Sequence, residues 1–209
     1  DKFLPTDKDN FLLAWKWTGI DKMILYNRQR IGMEYEMYGG LKTSLELKAE
    51  EYEACGAMSF RTLNQPAAVY TGMDNHREFL RTTELKAELR YAPNETYVNS
   101  KQRRTTINRD APVFTLSHTW GMKNVFGADY ASHLTEGKIY KRFWLNSWGK
   151  VDVRLKGGVQ WSQVPYLLLI MPMANQSFVI EDEMFNLINN MEFLNDRYAS
   201  LMLSWDMNG

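Results

Sequence analysis

The 209 residues contain one cysteine, Cys55, which leaves no disulfide within the chain and no cysteine-built metal site. Net charge is missing too: 25 basic residues balance 25 acidic ones, which removes the basic footprint of a nucleic-acid binder. No long apolar run occurs. The longest candidate, residues 166–171, is far shorter than the roughly 20 residues a membrane helix needs. There is no initiator Met and no apolar signal segment at the start, and the last residues, Asp206-Met207-Asn208-Gly209, follow straight after an alternating run. Both ends are expected to be cut from a longer chain. Repeats and low-complexity segments are absent, and the length suits one large domain.

Aromatic residues are plentiful, 13% of the chain with 7 Trp and 11 Tyr. So is alternation of apolar and polar residues. Val151, Val153, Leu155, Val159 and Trp161 are opposed by Asp152, Arg154, Lys156 and Gln160. A period of two is the signature of a strand with two unlike faces. The same pattern runs through Ile31, Met33, Tyr35 and Met37, and after the tight turn expected at Gly39-Gly40 through Leu41, Thr43, Leu45, Leu47 and Ala49. Thr83, Leu85, Ala87, Leu89 and Tyr91 are opposed by Glu84, Lys86, Glu88 and Arg90. Ala199, Leu201, Leu203, Trp205 and Met207 are opposed by Ser200, Ser204 and Asp206. Residues 41–53 are rich in helix formers, yet their period of two predicts a strand. Less regular strands are expected over 11–25, 54–63, 113–122 and 130–145, making eight or nine in all. Most have ten or more residues, whereas globular strands average about five or six and tilted membrane strands need about nine to eleven.

Long connections are expected at 64–80, 93–111 and 162–196, beside tight turns at Gly39-Gly40 and Ser147-Trp148-Gly149. Mean hydropathy of −0.45 suits a soluble chain and equally a membrane barrel, half of whose strand residues face a polar lumen. The mixed-charge faces fit either a solvated sheet face or a hydrated lumen. Strand length decides for the barrel, together with the aromatics that end the apolar faces: Tyr91, Trp120, Trp161 and Trp205, with Phe143, Trp144 and Trp148 around a turn. The expected fold is therefore all-β, an antiparallel transmembrane β-barrel of which residues 1–209 form part. Val151, Val153, Leu155, Val159, Trp161, Leu201, Leu203 and Trp205 are expected to face lipid. Glu84, Lys86, Glu88, Arg90, Asp152, Arg154 and Lys156 are expected to face the lumen.

Catalytic and metal chemistry find little purchase, and no cofactor is expected. His76, His118 and His133 lack metal-ligand spacing. Ser117 and His118 are adjacent on a strand and so point to opposite faces, not toward one another as a nucleophile and its base. Glu181-Asp182-Glu183 reads as a solvated loop, with a hard cation as the sharper reading. Gly157-Gly158 reads as a strand bend or a close backbone approach. Asn94-Glu95-Thr96 and Asn175-Gln176-Ser177 have the form of glycosylation acceptors, read as chance matches in a bacterial chain. The apolar loop segment Tyr166, Leu167, Leu168, Leu169, Ile170 and Met171 is read as tucked into a barrel mouth, with a partner or lipid contact as the alternative.

Four segments resemble a known family: ELRYAP (88–93), NRDAPVFTLSHTWGMKNVFGADY (108–130), KRFWLNSWGKVDVRLKGG (141–158) and NNMEFLNDRYASLMLSWDMNG (189–209). They are similar to the C-terminal barrel of a Bacteroidota outer-membrane family of unknown function. Its members carry a carboxypeptidase-regulatory-like N-terminal domain, and its barrel is similar to the surface-antigen barrels of the BamA and TamA type. The resemblance covers the last 120 residues or so well and the first 80 loosely. It implies the middle of a barrel of about sixteen strands, completed by further segments, in the bacterial outer membrane. In BamA-type barrels the loop equivalent to 162–196 folds into the lumen on a motif built around Arg-Gly; this loop has no such pair and no Arg. The leading expectation is a membrane barrel of the assembly type, meeting lipid and other outer-membrane proteins. A transport pore or uptake component, and a soluble ligand-binding barrel, are the alternatives, and an enzyme is the least supported.

Overall fold

The computed structural model describes residues 22–56, 79–99, 104–107, 110–175, 183–189 and 192–207. Seven antiparallel strands form one open sheet in the order β1-β2-β3-β6-β7-β8-β9: β1 (Lys22–Glu36), β2 (Leu41–Gly56), β3 (Phe79–Tyr91), β6 (Val113–Gly121), β7 (Ser132–Trp144), β8 (Lys150–Gln160) and β9 (Arg197–Asp206). A separate hairpin, β4 (Tyr97–Asn99) with β5 (Arg104–Thr106), stands in the connection between β3 and β6. The sheet strands are 9 to 16 residues long. Consecutive strands are neighbours throughout, so the chain meanders, as alternation with short turns dictates.

Two turns show why glycine is needed. Gly39 and Gly40, in the three-residue turn 38–40 closed by the bond from the Met37 N–H to the Leu41 carbonyl oxygen, both have φ of +81°, and a Cβ on Gly40 would lie 2.1 Å from the Ala92 carbonyl oxygen. Gly149, at φ +84°, ends the short 3-10 turn Asn146–Trp148, and a Cβ there would lie 1.9 Å from the Asp206 carbonyl oxygen. These turns and the 92–112 connection share one end of the sheet, called here the turn end. At the other, the loop end, β2 ends and β3 begins, and the 122–131 turn and the described parts of the β8–β9 connection lie there.

Register carries the alternation from strand to strand. One row reads Met33, Leu45, Ala87, His118, Thr135 and Val159; the next on the same face reads Tyr35, Thr43, Leu89, Leu116, Gly137, Gly157 and Ala199. The result is one continuous apolar face and one continuous charged face. The apolar face is exposed: Ile31 is 79% and Leu203 65% accessible. Among the described residues it is covered only at the loop end, where the turn after β6 closes over it: Thr83 is buried there and donates to the Val125 carbonyl oxygen. The buried apolar cluster is small and lies elsewhere, on the charged face at the loop end, where Leu167 packs on Tyr52 and Leu80.

Several expectations change. Residues 22–36 form one strand, because fifteen consecutive register pairs with β2 carry it across the polar run Asn27-Arg28-Gln29-Arg30 that breaks the alternation in sequence. Residues 11–21 and 57–63 lie outside those described. Phe79 and Leu80 belong to β3, not to a loop, and 93–111 holds a hairpin of its own. Nine strands are described, within the expected eight or nine, and all are antiparallel, but two of them form the separate hairpin, so the main sheet has seven strands and is open. Residues 41–56 are extended, as their period requires.

Candidate functional site: a loop laid over the charged face

Charges on the polar face are paired across strands. Asp152 accepts two hydrogen bonds from Arg142 (2.6 and 2.7 Å) and one from the Tyr140 hydroxyl (3.2 Å), and both members of the ion pair are close to fully buried. Lys48 bridges Glu50 (3.1 Å) and Glu84 (2.8 Å), while Glu50 also accepts from Arg28 and Tyr52. Lys86 pairs with Glu88, and Arg90 grips Glu95 through both nitrogens. The Tyr198 hydroxyl donates to Glu136 at 3.0 Å, and Gly158 makes room for that ring, since a Cβ there would lie 2.5 Å from Tyr198 Cε1. Charged cross-strand pairs of this kind fix register as well as adding stability.

Among the described residues, three register pairs on this face set like charge against like: Arg30 with Lys48, Lys42 with Arg90, and Lys138 with Lys156. Lys48 and Lys42 have acids of the sheet beside them, Glu50 and Glu84 for the one and Glu34 for the other, and the third pair differs. Lys138 and Lys156 lie directly opposite one another, like charge against like, which alone is destabilising. The counter-charge comes from the connection between β8 and β9. Glu183 accepts from Lys138 at 2.7 Å and from Lys156, with Arg154 Nε 3.5 Å away. Burial pushes the Glu183 carboxyl up, but the hydrogen bonds from Lys138 and Lys156 outweigh it and hold the group down at about 2. Lys156 stands four residues from the loop end of β8, so the loop reaches about 13 Å down the sheet at ~3.3 Å per residue.

The same loop makes a second anchorage. Its 3-10 turn Tyr166–Leu168 sets Leu167, 4% accessible, into the cluster with Tyr52 and Leu80, flanked by Ile24, Tyr26 and Tyr130. Backbone bridges Ile170 to Asn195 and Ala174 to Phe185 hold the loop's own shape. Between loop and sheet lies a cavity of about 420 Å³, lined by Met171, Met173, Phe185 and Phe193 on the loop side and by Lys156, Tyr198 and Met202 on the strand side.

Most residues singled out from the sequence have a definite place; His76 lies outside the described residues. Val151, Val153, Leu155, Val159, Leu201, Leu203 and Trp205 share the apolar face, and Trp161, just past β8, joins them by donating from its indole N–H to Thr135. Glu84, Lys86, Glu88, Arg90, Asp152, Arg154 and Lys156 share the other. Trp144 is the exception among the aromatics: it pairs with Lys150 and has the parity of the charged face, with the Arg142 guanidinium 5.9 Å from its ring centre. Ser117 is buried and His118 exposed, on opposite faces. Glu183 is an ion-paired anchor and not a solvated acid; Glu181 and Asp182 lie outside the described residues. His118 and His133, read as isolated, face one another at 6.0 Å between ring centres beside Trp120, because register puts Trp120 opposite His133. Among the described residues no group of three or more His, Cys, Asp or Glu is placed to hold a metal ion, and no helix is long and apolar enough to cross a membrane.

Nothing in the sequence tells where an acid in a 36-residue connection will land. The one available signal for Glu183 was the unpaired like-charge register of Lys138 and Lys156, visible only once the β7–β8 pairing is known.

A family comparison matches residues 22–209 to the C-terminal domain of a family of unknown function, DUF5686. No curated protein and no solved structure matches the chain.

Proposed function

The chain belongs to the DUF5686 C-terminal-domain family, and from that premise we propose that it is part of the wall of a bacterial outer-membrane β-barrel with a non-catalytic role. The observation that carries this reading is the two-faced register. Seven strands long enough to cross a bilayer present one broad, largely exposed apolar face whose charged residues, among them Glu51, Arg81 and Arg197 at the loop end and Lys141 toward the turn end, stand near its limits, and the ordered loop lies on the opposite, charged one. Aromatic groups stand at both limits of the apolar face. Trp148 stacks on Trp205 at the turn end, and Trp120 and Trp161 stand at the loop end, as the girdles of a membrane barrel do. Lys141, flanked on that face by Ile139 and Phe143 in β7 and opposite Val153 in β8, stretches along Phe143 to the Asp110 carbonyl oxygen beyond the strand, in the manner of a snorkelling lysine. Further strands, from the rest of the protein or from a partner, complete the wall, since lipid does not tolerate open sheet edges.

The finer placement follows from the quoted segments: a Bacteroidota barrel of the BamA and TamA type, preceded by a carboxypeptidase-regulatory-like domain and acting in outer-membrane protein assembly or at the cell surface. A second reading, a transport pore or uptake component, draws on the charged face and the ion-paired loop that lies over it. Conductance of the full-length protein in planar bilayers separates the two: a barrel closed under all conditions sinks the pore.

The membrane placement is tested by spin labels at Val153, Leu155 and Leu203, in a Cys55→Ser background of the full-length protein. These positions should collide with dissolved oxygen and be shielded from a water-soluble relaxation agent, with the reverse at Arg154 and Lys156. The opposite pattern, or a soluble monomer without detergent, overturns it.

A further inference from the structure

We propose that the cavity beneath the β8–β9 loop binds an amphiphilic organic monoanion, whose carboxylate takes the place of Glu183 between Lys138 and Lys156 while its apolar chain lies against Met171, Met173 and Phe185. Three features carry this. Lys138 and Lys156 are cross-strand neighbours of like charge, with Arg154 beside them, and the acid that bridges them comes from outside the sheet, so the strands themselves present an anion site here. The anion that fills it belongs to a loop rather than to the sheet, and a loop can be exchanged without unpairing any of the seven strands. The cavity adjoining the lysine pair is about 420 Å³, within the roughly 300–1,000 Å³ of small-molecule sites.

The walls select the ligand class. Ile170, Met171, Met173, Phe185 and Phe193 form an apolar side supplied by the loop, and methionines adapt to chains of varied shape. The strand side brings the Lys156 ammonium, the Tyr198 ring and Met202, with Glu136 and Arg197 at the margin. A ligand with one anionic head and one apolar tail satisfies both sides. A simple inorganic anion would leave the apolar wall unfilled, and a cation or a neutral amphiphile has no head group that could replace the Glu183 carboxylate between the two lysines. Glu183 is then an internal competitor: the resting chain occupies its own head-group position. The inference does not depend on whether the opposite face of the sheet meets lipid.

The test is a titration of the full-length protein with radiolabelled decanoate, decanol and decyltrimethylammonium, in phosphatidylcholine nanodiscs or, if the protein stays soluble, in plain buffer, with protein-free samples as blanks. Decanoate should saturate one site per chain and bind at least about tenfold more tightly than either of the other two, as a charge-assisted contact requires. Glu183→Gln removes the competitor and should tighten decanoate binding several-fold. The double variant K138Q/K156Q should abolish the preference for decanoate over decanol. Equal binding of decanoate and decanol by the unsubstituted protein overturns the proposal, as does the absence of saturable binding in both that protein and the Glu183→Gln variant. Glu183 would then be a structural anchor alone. The comparison in the unsubstituted protein decides even if the double variant fails to fold.

Discussion

Lys138 and Lys156 face one another across β7 and β8, and the carboxylate that separates their charges, Glu183, arrives from a connection that begins five residues after Lys156. The sheet therefore depends on a loop for its electrostatic balance, and the loop depends on the sheet for its position.

This arrangement has a definite pH dependence. The Glu183 carboxyl is lowered from 4.5 to about 2 in the folded chain. A depressed carboxyl stabilises the fold above its unfolded value, and that contribution is lost as pH falls through the folded one. The loop should stay docked from neutral pH to about 4.5 and loosen between there and about 2. Protease cleavage within 162–196, or hydrogen exchange at the Ile170–Asn195 bridge, reads this directly. Glu183→Gln should show at neutral pH, in the absence of decanoate, the exposure that the unsubstituted chain reaches only in acid, and decanoate should restore protection by bridging the two lysines in place of Glu183; cleavage indifferent to pH and to that substitution would refute the assignment.

The Arg142–Asp152 pair offers a stability test. Both side chains are close to fully buried, and Asp152 also serves Tyr140. Asp152→Ala strands the guanidinium without its partner and should cost about 3–5 kcal/mol in urea unfolding. Replacing both by apolar residues of similar volume, R142M with D152L, should recover most of that loss, because no buried charge is left unpaired.

The two adjacent glycines of β8 should behave differently. A Cβ on Gly158 would lie 2.5 Å from the Tyr198 ring and displace the hydroxyl from Glu136, whereas on Gly157 the nearest atom is 3.4 Å away. Gly158→Ala is expected to destabilise by about 1–3 kcal/mol through overpacking, and Gly157→Ala to stay within about 0.5 kcal/mol. Similar unfolding midpoints for the two would count against this account of the charged face.

Leu155 probes what the apolar face meets. In lipid, Leu155→Arg should cost about 2–4 kcal/mol near the midplane of the bilayer. On a water-facing surface the same change stays within about 0.5 kcal/mol. Unfolding of the full-length protein in bilayers therefore returns one of two well-separated values.

Much of the sheet is legible in the sequence, for reasons that differ along the chain. Residues 41–49, 83–91 and 150–161 alternate cleanly because each residue there meets one of two unlike surroundings, so the pattern reports the strand and both its faces. Asn27 to Arg30 breaks that pattern, since β1 takes its register from β2 and not from its own alternation. The two glycines at 39 and 40 announce their turn because few other residues adopt their φ. His118 and His133 were beyond sequence reasoning: their meeting is diagonal across β6 and β7 and requires the register of that pair. Trp144 stands beside a turn, as expected, but which face it takes is decided by one residue of parity that only the β7–β8 register supplies. The landing place of Glu183 depends on the path of a long connection, which carries no period at all.

That connection is held by two contacts of unlike chemistry, Leu167 in an oily seat on β2 and β3 and Glu183 in an ionic one on β7 and β8. Unlike fastenings answer to unlike solvents. Concentrated salt weakens the ionic end while tending to strengthen the oily one, and cooling weakens the oily end first. The strap thus has two independent releases, and strands far apart in the sheet are tied or untied according to which is slipped.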